Sequence, residues 1–307
     1  MTARAFLIAG PTASGKSALA LQLAKRIGGA VVNADSMQVY RDLRIITARP
    51  TPQEEAEAPH LLFGHVDAGV NYSVGRYLAD LATTLDELDA KGVTAVLTGG
   101  TGMYFKSALY GLSDIPAVPE DVRAKVRDAA QEKTPQELHA ELAAKDPETA
   151  ARLRPTDPQR ILRALEVLAA TGKPLASFQG PRSAPLLDVA RCPAFFLAPE
   201  RETLYARIDA RFDRMMETGA LEEVACLRDR GLDPALPAMR AHGVPGLVAY
   251  LDGHATLDEA IMRGKIDTRR YAKRQFTFAR HQLPSFKWLS GAAIGAEAEA
   301  ACCAFGR

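Results

Sequence analysis

The sequence predicts an α/β protein whose core is a doubly wound parallel sheet. Two observations in the first hundred residues support this prediction. Short apolar runs alternate with helical patterns, and a glycine-rich segment joins the first run to the first helix. Buried parallel strands are almost continuously apolar and are connected by helices, so the alternation is typical of this class. Because ligands bind such sheets at the carboxyl ends of the strands, we expect the site there.

The first predicted strand is the apolar run Ala5–Ala9, which Gly10 ends. A helix is predicted over Lys16–Ile27, since leucine and isoleucine recur along it four residues apart and two glycines follow it. Further apolar runs predict strands at residues 30–32, 93–97 and 192–197.

The middle of the chain is expected to form a mostly helical insertion domain. Its helical patterns cover residues 121–131, 135–144 and 158–170, and proline-rich segments bound it at 115–119 and 180–185. We therefore expect one catalytic core from residues 1–120 and 186–307, and an insertion domain from residues 121–185. The alanine-rich tail after residue 290 predicts neither structure nor role.

Composition excludes several classes of protein. The chain has 307 residues, of which 47% are hydrophobic, enough for a large core in one or two domains. No apolar run approaches the ~18 residues that indicate a membrane span, so no membrane partner is expected. The four cysteines show no CxxC spacing and no nearby histidine pair, which argues against a zinc site and favours a reducing cytoplasm.

A phosphate-binding loop is predicted between the first strand and the first helix. The segment matches GxxxxGK[ST] and consists of Gly10, Pro11, Thr12, Ala13, Ser14, Gly15, Lys16 and Ser17. Glycines allow backbone N–H groups to turn onto phosphate oxygens, and the helix N-terminus adds favourable partial charge. Lys16 supplies a mobile positive charge, and Ser17 supplies a hydroxyl for Mg²⁺.

Asp35, which follows the second predicted strand, is the second candidate functional group. A nucleotide hydrolase normally has an acidic residue at a strand end to hold its metal ion. Here the strand at 93–97 runs instead into Thr98-Gly99-Gly100-Thr101. Asp35 can act as a general base on an incoming nucleophile, or it can cap the next helix. The residues alone leave both interpretations open, and they predict only that a diphosphate or triphosphate compound binds.

Several further motifs give the chain a resemblance to a known family. They are Asp35-Ser36-Met37-Gln38-Val39-Tyr40, Leu97-Thr98-Gly99-Gly100-Thr101-Gly102-Met103-Tyr104, Asp157-Pro158-Gln159-Arg160, Arg211-Phe212-Asp213-Arg214-Met215 and Ala272-Lys273-Arg274-Gln275. With the phosphate loop, they resemble the tRNA dimethylallyltransferases (bacterial IPP transferases) in order and over nearly the whole chain. The resemblance implies a P-loop NTPase-like parallel sheet core flanked by helices.

The resemblance also implies an activity. Members of this family transfer a dimethylallyl group from dimethylallyl diphosphate to N6 of the adenosine 3′-adjacent to the anticodon. The base must leave its stack in the anticodon stem-loop to reach the protein. The phosphate loop would then hold a leaving diphosphate, with Mg²⁺ on Ser17. Because this reaction uses no hydrolytic water, the acidic residue that hydrolases have at a strand end would not be needed.

Roles for individual residues follow from the same resemblance. Asp35 would accept the proton from N6, and Thr101 and Arg123 would help to stabilise the transition state. Arg211 would bind the diphosphate, while Arg207 and Arg214 on the same predicted helix stay unassigned. The alternative is that these three arginines form ion pairs at the surface with Asp209 and Asp213. Residues implied to contact tRNA are Asp35, Ser36, Met37, Gln38, Gln159, Arg160, Ile161, Leu162, Arg163 and Arg240.

Two segments depart from the family pattern. Arg240-Ala241-His242-Gly243-Val244-Pro245 lacks an aromatic residue and a second arginine, and Ile45-Ile46-Thr47-Ala48-Arg49-Pro50 has isoleucine where the family usually has glycine.

For two groups of residues the alternative to function is a structural role. Instead of contacting tRNA, Arg160 and Arg163 can lie on a solvent-exposed helix face. His60 and His65 are expected to be structural.

Charge is distributed unevenly along the chain. The formal net charge is only +1, and nucleic-acid-binding domains are usually basic. Residues 263–288, however, contain eight basic residues and one acidic residue, a local net charge of +7. This segment favours docking of a folded RNA backbone.

Alternative functions at this point are an enzyme that prenylates free adenine nucleotides, a small-molecule kinase with the same phosphate loop, and an RNA-binding module without chemistry. The insertion domain and the basic segment favour tRNA as the partner. A monomer is the simpler expectation for a protein that binds an asymmetric tRNA.

Overall fold

The computed structural model describes residues 4–178, 180 and 182–291. Internal contacts divide the chain into two compact units. One unit contains the chain up to Leu109 and from Pro185 onward, and the other is Tyr110–Ala184. The insertion domain proposed at 121–185 falls almost entirely within the second unit. The tail beyond residue 291, with Cys302 and Cys303, lies outside the described residues.

The first unit is built on a parallel sheet. Its described strands are β1 (Ala5–Ala9), β2 (Ala30–Asn33), β3 (His60–Leu61), β4 (Ala95–Gly99), β5 (Ala194–Leu197) and β6 (Lys287–Leu289). They lie in the order β3-β2-β4-β1-β5-β6, and every pairing is parallel. The predicted α/β class with a parallel sheet core is confirmed.

Helices flank this sheet. In chain order they are α1 (Lys16–Ile27), α2 (Pro52–Glu57), α3 (Val74–Ala90) and α4 (Gly102–Tyr110), followed after the second unit by α9 (Arg201–Glu217), α10 (Ala220–Asp229), α11 (Val244–Leu251) and α12 (Leu257–Gln282). The bounds predicted for α1 are confirmed, because Gly28 adopts a left-handed conformation (φ 62°) that ends the helix. Among the described residues, no helix has both the length and the apolar character needed to cross a membrane.

Burial explains why β1, β2 and β4 form the centre of the sheet. Every residue in these strands is buried. Phe6 and Ile8 of β1 pack with Leu19 and Leu23 of α1 in one hydrophobic cluster. The apolar run of β1 and the four-residue spacing of α1 thus fold onto each other.

Strand register brings three loops to one edge of the sheet. Ala9 of β1 pairs with Gly99 of β4, and Asn33 of β2 pairs with Thr98. The segments that follow these strands therefore leave the sheet side by side. They are the phosphate loop, the Asp35 segment and the Gly100-Thr101 segment.

Most strands of the sheet differ from the prediction in part. β5 begins at Ala194 instead of residue 192, and β2 continues one residue further, to Asn33. β4 begins at Ala95 instead of residue 93, because the Val93 N–H donates to Leu88 O and so belongs to the turn that ends α3. β3 and β6 contain two and three residues, too few for a periodic pattern to reveal.

The second unit is helical, as predicted for this segment. Its helices are α5 (Glu120–Asp128), α6 (Pro135–Lys145), α7 (Pro147–Arg152) and α8 (Pro158–Thr171), and a 3₁₀ helix covers Leu175–Phe178. Thr134 and Glu137 form a capping box at the start of α6. Leu142, Ile161 and Val167 are fully buried in a hydrophobic cluster of this unit. The short helix α7 was not predicted, since six residues carry too little periodicity.

Candidate active site

The phosphate loop connects β1 to α1 with the backbone geometry that a phosphate cradle requires. Ala13 and Gly15 adopt positive φ values of 62° and 91°, which turn neighbouring N–H groups toward one side. A Cβ on Gly10 would lie 2.8 Å from Ser14 Oγ and 3.2 Å from Leu197 O, so a larger residue would displace the Ser14 hydroxyl. Ser14 Oγ is buried without a hydrogen-bond partner in the described structure, as expected for a group that awaits an oxygen ligand.

Lys16 lies in the floor of this loop. Its side chain is buried, and Nζ donates to Pro11 O over 3.3 Å. Burial lowers the pKa of Lys16 to about 8; the Asp35 carboxylate opposes this shift, and the Arg211 guanidinium adds to it. Because an opposite charge favours the charged amine, an anion bound beside Lys16 would raise this pKa again.

Donor binding is therefore expected to depend on pH. The pKa of Lys16 lies near 8 in the free protein, so the amine is charged below that pH and neutral above it. The dissociation constant for an allylic diphosphate should be flat below pH 8 and should rise by up to about tenfold per pH unit above it. Calorimetric titration over this range measures the effect. A dissociation constant that stays constant above pH 8 would contradict the role of Lys16.

Arg211 approaches the loop from α9. Its Nη2 donates to Thr12 Oγ1. Burial lowers the pKa of Arg211 to about 10, and the Asp35 carboxylate raises it in part. Arg207 and Arg214 on the same helix are exposed. Of the three arginines, Arg211 alone belongs to the lining of the pocket described below.

Loss of the Arg211 guanidinium should weaken donor binding. We expect Arg211→Gln to raise the KM for the allylic diphosphate by about 10- to 100-fold, since a charge-assisted contact to an anion is lost. Arg214→Gln is the matched control, because Arg214 is exposed one turn further along α9. Steady-state kinetics of both variants tests the assignment, and equal effects would refute it.

Gln275 of α12 ties the phosphate loop to the segment after β4. The Thr12 N–H donates to Gln275 Oε1 over 3.1 Å, and Gln275 Nε2 donates to Gly100 O over 2.9 Å. A Cβ on Gly100 would lie 2.1 Å from Gln275 Nε2. The glycine thus makes room for the amide, a role that no local sequence pattern reveals.

Asp35 is held in a turn at the end of β2. Buried Asn33 fixes this turn, because its Oδ1 accepts from Asp35 N (2.8 Å) and its Nδ2 donates to Asp35 O (2.9 Å). Asp35 Oδ1 accepts from Met37 N over 3.0 Å. The carboxylate therefore does stabilise a local turn, and it also lines the pocket beside the phosphate loop.

Thr101 connects the segments that follow β2 and β4. Its Oγ1 accepts from Ser36 N (2.9 Å) and donates to Ser36 Oγ (3.1 Å). The Tyr271 side chain lies next to Thr101. Burial raises the pKa of Tyr271, the nearby Asp35 carboxylate raises it further, and the contact with Thr101 lowers it in part, so the tyrosine stays neutral.

A pocket adjoins Asp35 and the phosphate loop. It is a partly open cleft that connects with solvent. Its polar lining consists of Thr12, Asp35, Thr47, Arg211, His242, Thr268 and Tyr271, and its apolar lining consists of Met37, Ile46, Ile208, Phe212, Met215 and Ala241. Phosphate-binding groups, a carboxylate and an apolar surface thus meet in one place. Most of these residues carry no separate signal in the sequence, although the i, i+3, i+4, i+7 spacing of Ile208, Arg211, Phe212 and Met215 marks one face of α9.

Gln38 and Arg240, which the resemblance implies to contact tRNA, each form contacts of their own within this unit. Gln38 Nε2 donates to Thr47 O and Ala48 O, both over 2.9 Å, so its amide is already engaged within the protein. Arg240 is exposed, and its Nε donates to Pro234 O over 3.4 Å. Next to it in sequence, Ala241 and His242 line the pocket, and the His242 ring lies 4.6 Å from that of Tyr271.

Within the helical unit, three arginines surround one buried carboxylate. Glu166 of α8 lies 2.9 Å from Arg127 Nε, 3.9 Å from Arg123 Nε and 3.9 Å from Arg163 Nη1. Arg123 also pairs with Glu120 over 2.7 Å. Three guanidiniums against the two acids, Glu166 and Glu120, leave an excess of one positive charge. Arg127 belongs to no motif in the sequence that would mark it as part of this cluster.

The start of α8 presents part of the segment implied for tRNA. Gln159 and Arg160 are exposed, and Asp157 caps the helix and pairs with Arg160 over 3.3 Å. Leu162 is half-buried. Ile161, however, is fully buried in the core of the unit, so its side chain offers RNA no surface. We correct the predicted interface by removing the Ile161 side chain from it.

The basic segment 263–288 lies mostly on α12, and part of its charge is neutralised. Lys265 pairs with Asp213 over 2.6 Å, and Arg269 pairs with Asp209 over 2.5 Å. The sequence leaves Asp209 and Asp213 as possible partners for the arginines of α9, but the structure pairs both acids with basic residues of α12. The positive charge that α12 offers to a polyanion is therefore smaller than the local +7.

Within residues 4–178, 180 and 182–291, the histidines and other potential ligands form no metal site by themselves. His60 Nδ1 lies 2.8 Å from Ala58 O, and His65 Nε2 lies 3.2 Å from Asp80 Oδ2. Among the described residues, no three His, Cys, Asp or Glu side chains are grouped to hold a metal ion. Ser17, at the start of α1, is exposed. A single hydroxyl at a phosphate loop fits Mg²⁺ only when substrate phosphates supply further ligands.

Comparison with known proteins identifies relatives of this chain. A curated protein from Methylocella silvestris, named tRNA dimethylallyltransferase, is 62% identical over 284 residues, which cover 92% of this chain and 94% of the relative. The solved structure of a full-length tRNA isopentenylpyrophosphate transferase from Bacillus halodurans matches with a TM-score of 0.70 and 33% identity, over 99% of this chain and 96% of that chain. A eukaryotic dimethylallyltransferase described as acting on tRNA matches with a TM-score of 0.78 and 28% identity, over 94% and 74%.

These relatives share the P-loop NTPase-like sheet core that the resemblance implied. A family model described as IPP transferase also matches residues 38–282, well over half of the chain. The chain belongs to the IPP transferase family.

Proposed function

We propose that this protein transfers the dimethylallyl group of dimethylallyl diphosphate to N6 of the adenosine 3′-adjacent to the anticodon of tRNA. The observation that carries the proposal is the pocket in which Thr12 and Arg211, the Asp35 carboxylate and an apolar surface meet. Transfer of a prenyl group from its diphosphate to an amine needs these three surroundings at once: positive charge for the phosphates, a base for the proton of the amine that attacks the first carbon, and an apolar surface for the prenyl tail.

The phosphate loop would stabilise the leaving group. As the bond between the allylic carbon and the diphosphate oxygen breaks, negative charge grows on the diphosphate. Lys16 donates to Pro11 O and Arg211 donates to Thr12 Oγ1, so both cations would lie beside the diphosphate where this charge develops. Donors that are already oriented toward developing charge lower the barrier most effectively.

Asp35 would accept the proton. The exocyclic N6 forms a bond to the allylic carbon, loses one proton to the Asp35 carboxylate, and diphosphate departs. The Asn33 hydrogen bonds fix the backbone of Asp35, and the Thr101–Ser36 contacts fix the adjacent segment. Thr101 thereby supports the position of the base, in addition to any contact with substrate.

Mg²⁺ is the cofactor that we propose for this step. Ser17 Oγ would hold the ion together with diphosphate oxygens. When bound, the ion supplies additional positive charge to the leaving diphosphate.

The helical unit would contribute RNA contacts. Gln159 and Arg160 are exposed at the start of α8, with Leu162 beside them, and the cluster of Arg123, Arg127 and Arg163 carries excess positive charge. Arginine side chains bind phosphates or stack on unpaired bases, and glutamine can recognise an adenine edge. Arg123 keeps its proposed role in transition-state stabilisation, and Ser36, Met37, Gln38 and Arg240 keep theirs in tRNA contact.

A single copy of the chain bound to one tRNA is the proposed assembly, and the cytoplasm, where tRNA is processed, is the proposed location. The activity is tested by incubating the protein with Mg²⁺, ATP, tRNA and dimethylallyl diphosphate labelled in the prenyl group. We expect label in tRNA and release of diphosphate. Label that stays in the donor, together with turnover of ATP, would instead indicate a kinase.

A further inference from the structure

A turn formed by residues 44–48 makes one wall of the pocket. Ile46 and Thr47 both line the pocket. The Ala48 N–H donates to Ile45 O and the Arg49 N–H donates to Arg44 O, both over 2.9 Å. The chemistry proposed above assigns no role to this turn.

Ile46 is the apolar side chain of this wall. It is only 6% exposed and belongs to one hydrophobic cluster with Phe212, Met215 and Ala241, which also line the pocket. Its Cδ1 lies 2.9 Å from the place where a Cβ on Gly243 would stand. The Ile46 side chain therefore packs closely against the segment that contains Gly243, so it cannot move away to enlarge the pocket.

Glu223 of α10 holds this turn in place. Its Oε2 accepts from Arg44 N (2.7 Å) and Ile45 N (2.8 Å), and its Oε1 accepts from Ile46 N (2.9 Å). Three successive backbone N–H groups thus converge on one carboxylate. Hydrogen bonds to a charged group are among the stronger ones in proteins, so the wall is rigid.

We propose that Ile46, held by Glu223, sets the length of the prenyl chain that the pocket accepts. This inference rests on the proposed function. Allylic diphosphates share the diphosphate and the reacting first carbon, and longer members add isoprene units at the far end. With the diphosphate at Thr12 and Arg211 and the first carbon at Asp35, the far end reaches the cluster of Ile46, Phe212 and Met215. Phe212 and Met215 lie beyond Arg211 along the pocket-lining face of α9.

The test compares dimethylallyl diphosphate with geranyl diphosphate as donors for tRNA. Wild-type protein should use the shorter donor strongly in preference. Ile46→Ala should raise the ratio of kcat/KM for geranyl to that for dimethylallyl diphosphate by about tenfold or more, the usual effect of a few methylene groups in a pocket. Ile46→Val should change the ratio in the same direction but by a smaller factor. Because valine removes only one methylene group from the core, this variant serves as the test if Ile46→Ala does not fold.

Ile45→Ala is the matched control for Ile46. Ile45 precedes it in the same turn and packs against the same cluster, but it does not line the pocket, so the donor ratio should stay at the wild-type value. An unchanged ratio in both Ile46 variants, or an equal change in Ile45→Ala, would overturn the inference. Wild-type protein that transfers neither group would overturn the proposed function itself.

Glu223→Gln tests the second half of the proposal. The amide replaces an acceptor by a donor that faces backbone N–H groups, so the turn should loosen and geranyl use should rise relative to dimethylallyl use. Glu222→Gln, on the exposed neighbouring position of α10, should leave the ratio unchanged. A Glu223→Gln variant with lower thermal stability and an unchanged ratio would show that the carboxylate has only a structural role.

Discussion

Replacing Asp35 by asparagine is expected to lower kcat for dimethylallyl transfer by about 10²- to 10⁴-fold, the usual contribution of a general base. Asparagine keeps an Oδ1 that can accept from Met37 N, as Asp35 does over 3.0 Å, so the turn persists while the base is lost. The variant therefore separates the two interpretations that the sequence leaves open. Single-turnover transfer with prebound donor and tRNA measures the effect.

The electrostatics provide a second signature of Asp35→Asn. The Asp35 carboxylate raises the pKa of Lys16, so its removal should move the pH at which donor binding weakens to below 8. Asp67→Asn is the matched control, because Asp67 is a surface acid paired with Arg230. A turnover rate in Asp35→Asn close to that of the control would refute the base assignment.

Replacing Lys16 by methionine is the second change with a large expected effect. Lys16 is the buried cation of the phosphate loop. Its loss should reduce kcat/KM for the donor by about 10²- to 10³-fold, as for other fixed donors aimed at developing charge. The pH dependence of donor binding above pH 8 should disappear as well, because the group that titrates is absent.

Lys25→Met provides the control for this change. Lys25 lies on the same helix, and it is exposed and paired with Glu57 over 2.5 Å. Lys16→Arg should not restore activity, because the planar guanidinium does not fit the space of a compact ammonium beside Pro11 O. A rescue by arginine would show that charge alone suffices in the loop.

Local patterns in the sequence identified the parts of the site that are local in space. The apolar run of β1, the glycine-rich loop and the four-residue spacing of α1 predicted the phosphate cradle, since its geometry depends on a continuous segment. Asp35 was placed at a strand end by the same reasoning, and the register of β2 with β4 explains why it faces the loop.

The remainder of the pocket depends on contacts between distant segments. Gln275 meets Thr12 across 263 residues, and Glu223 binds a turn 177–179 residues earlier. Such pairs leave no periodic signal, because neither partner alone has an unusual neighbourhood in sequence. The role of Gly100 is invisible for the same reason, since the amide that requires its small size lies on α12.

The most direct measurement of the central claim is prenyl transfer to two anticodon stem-loop RNAs that differ at one base. One carries adenosine 3′-adjacent to the anticodon, and the other carries guanosine there. We predict one dimethylallyl group per adenosine-containing RNA, recovered as N6-(dimethylallyl)adenosine by mass spectrometry after digestion, with diphosphate released in equal amount. Equal labelling of both RNAs, or diphosphate release without labelled RNA, would contradict the account.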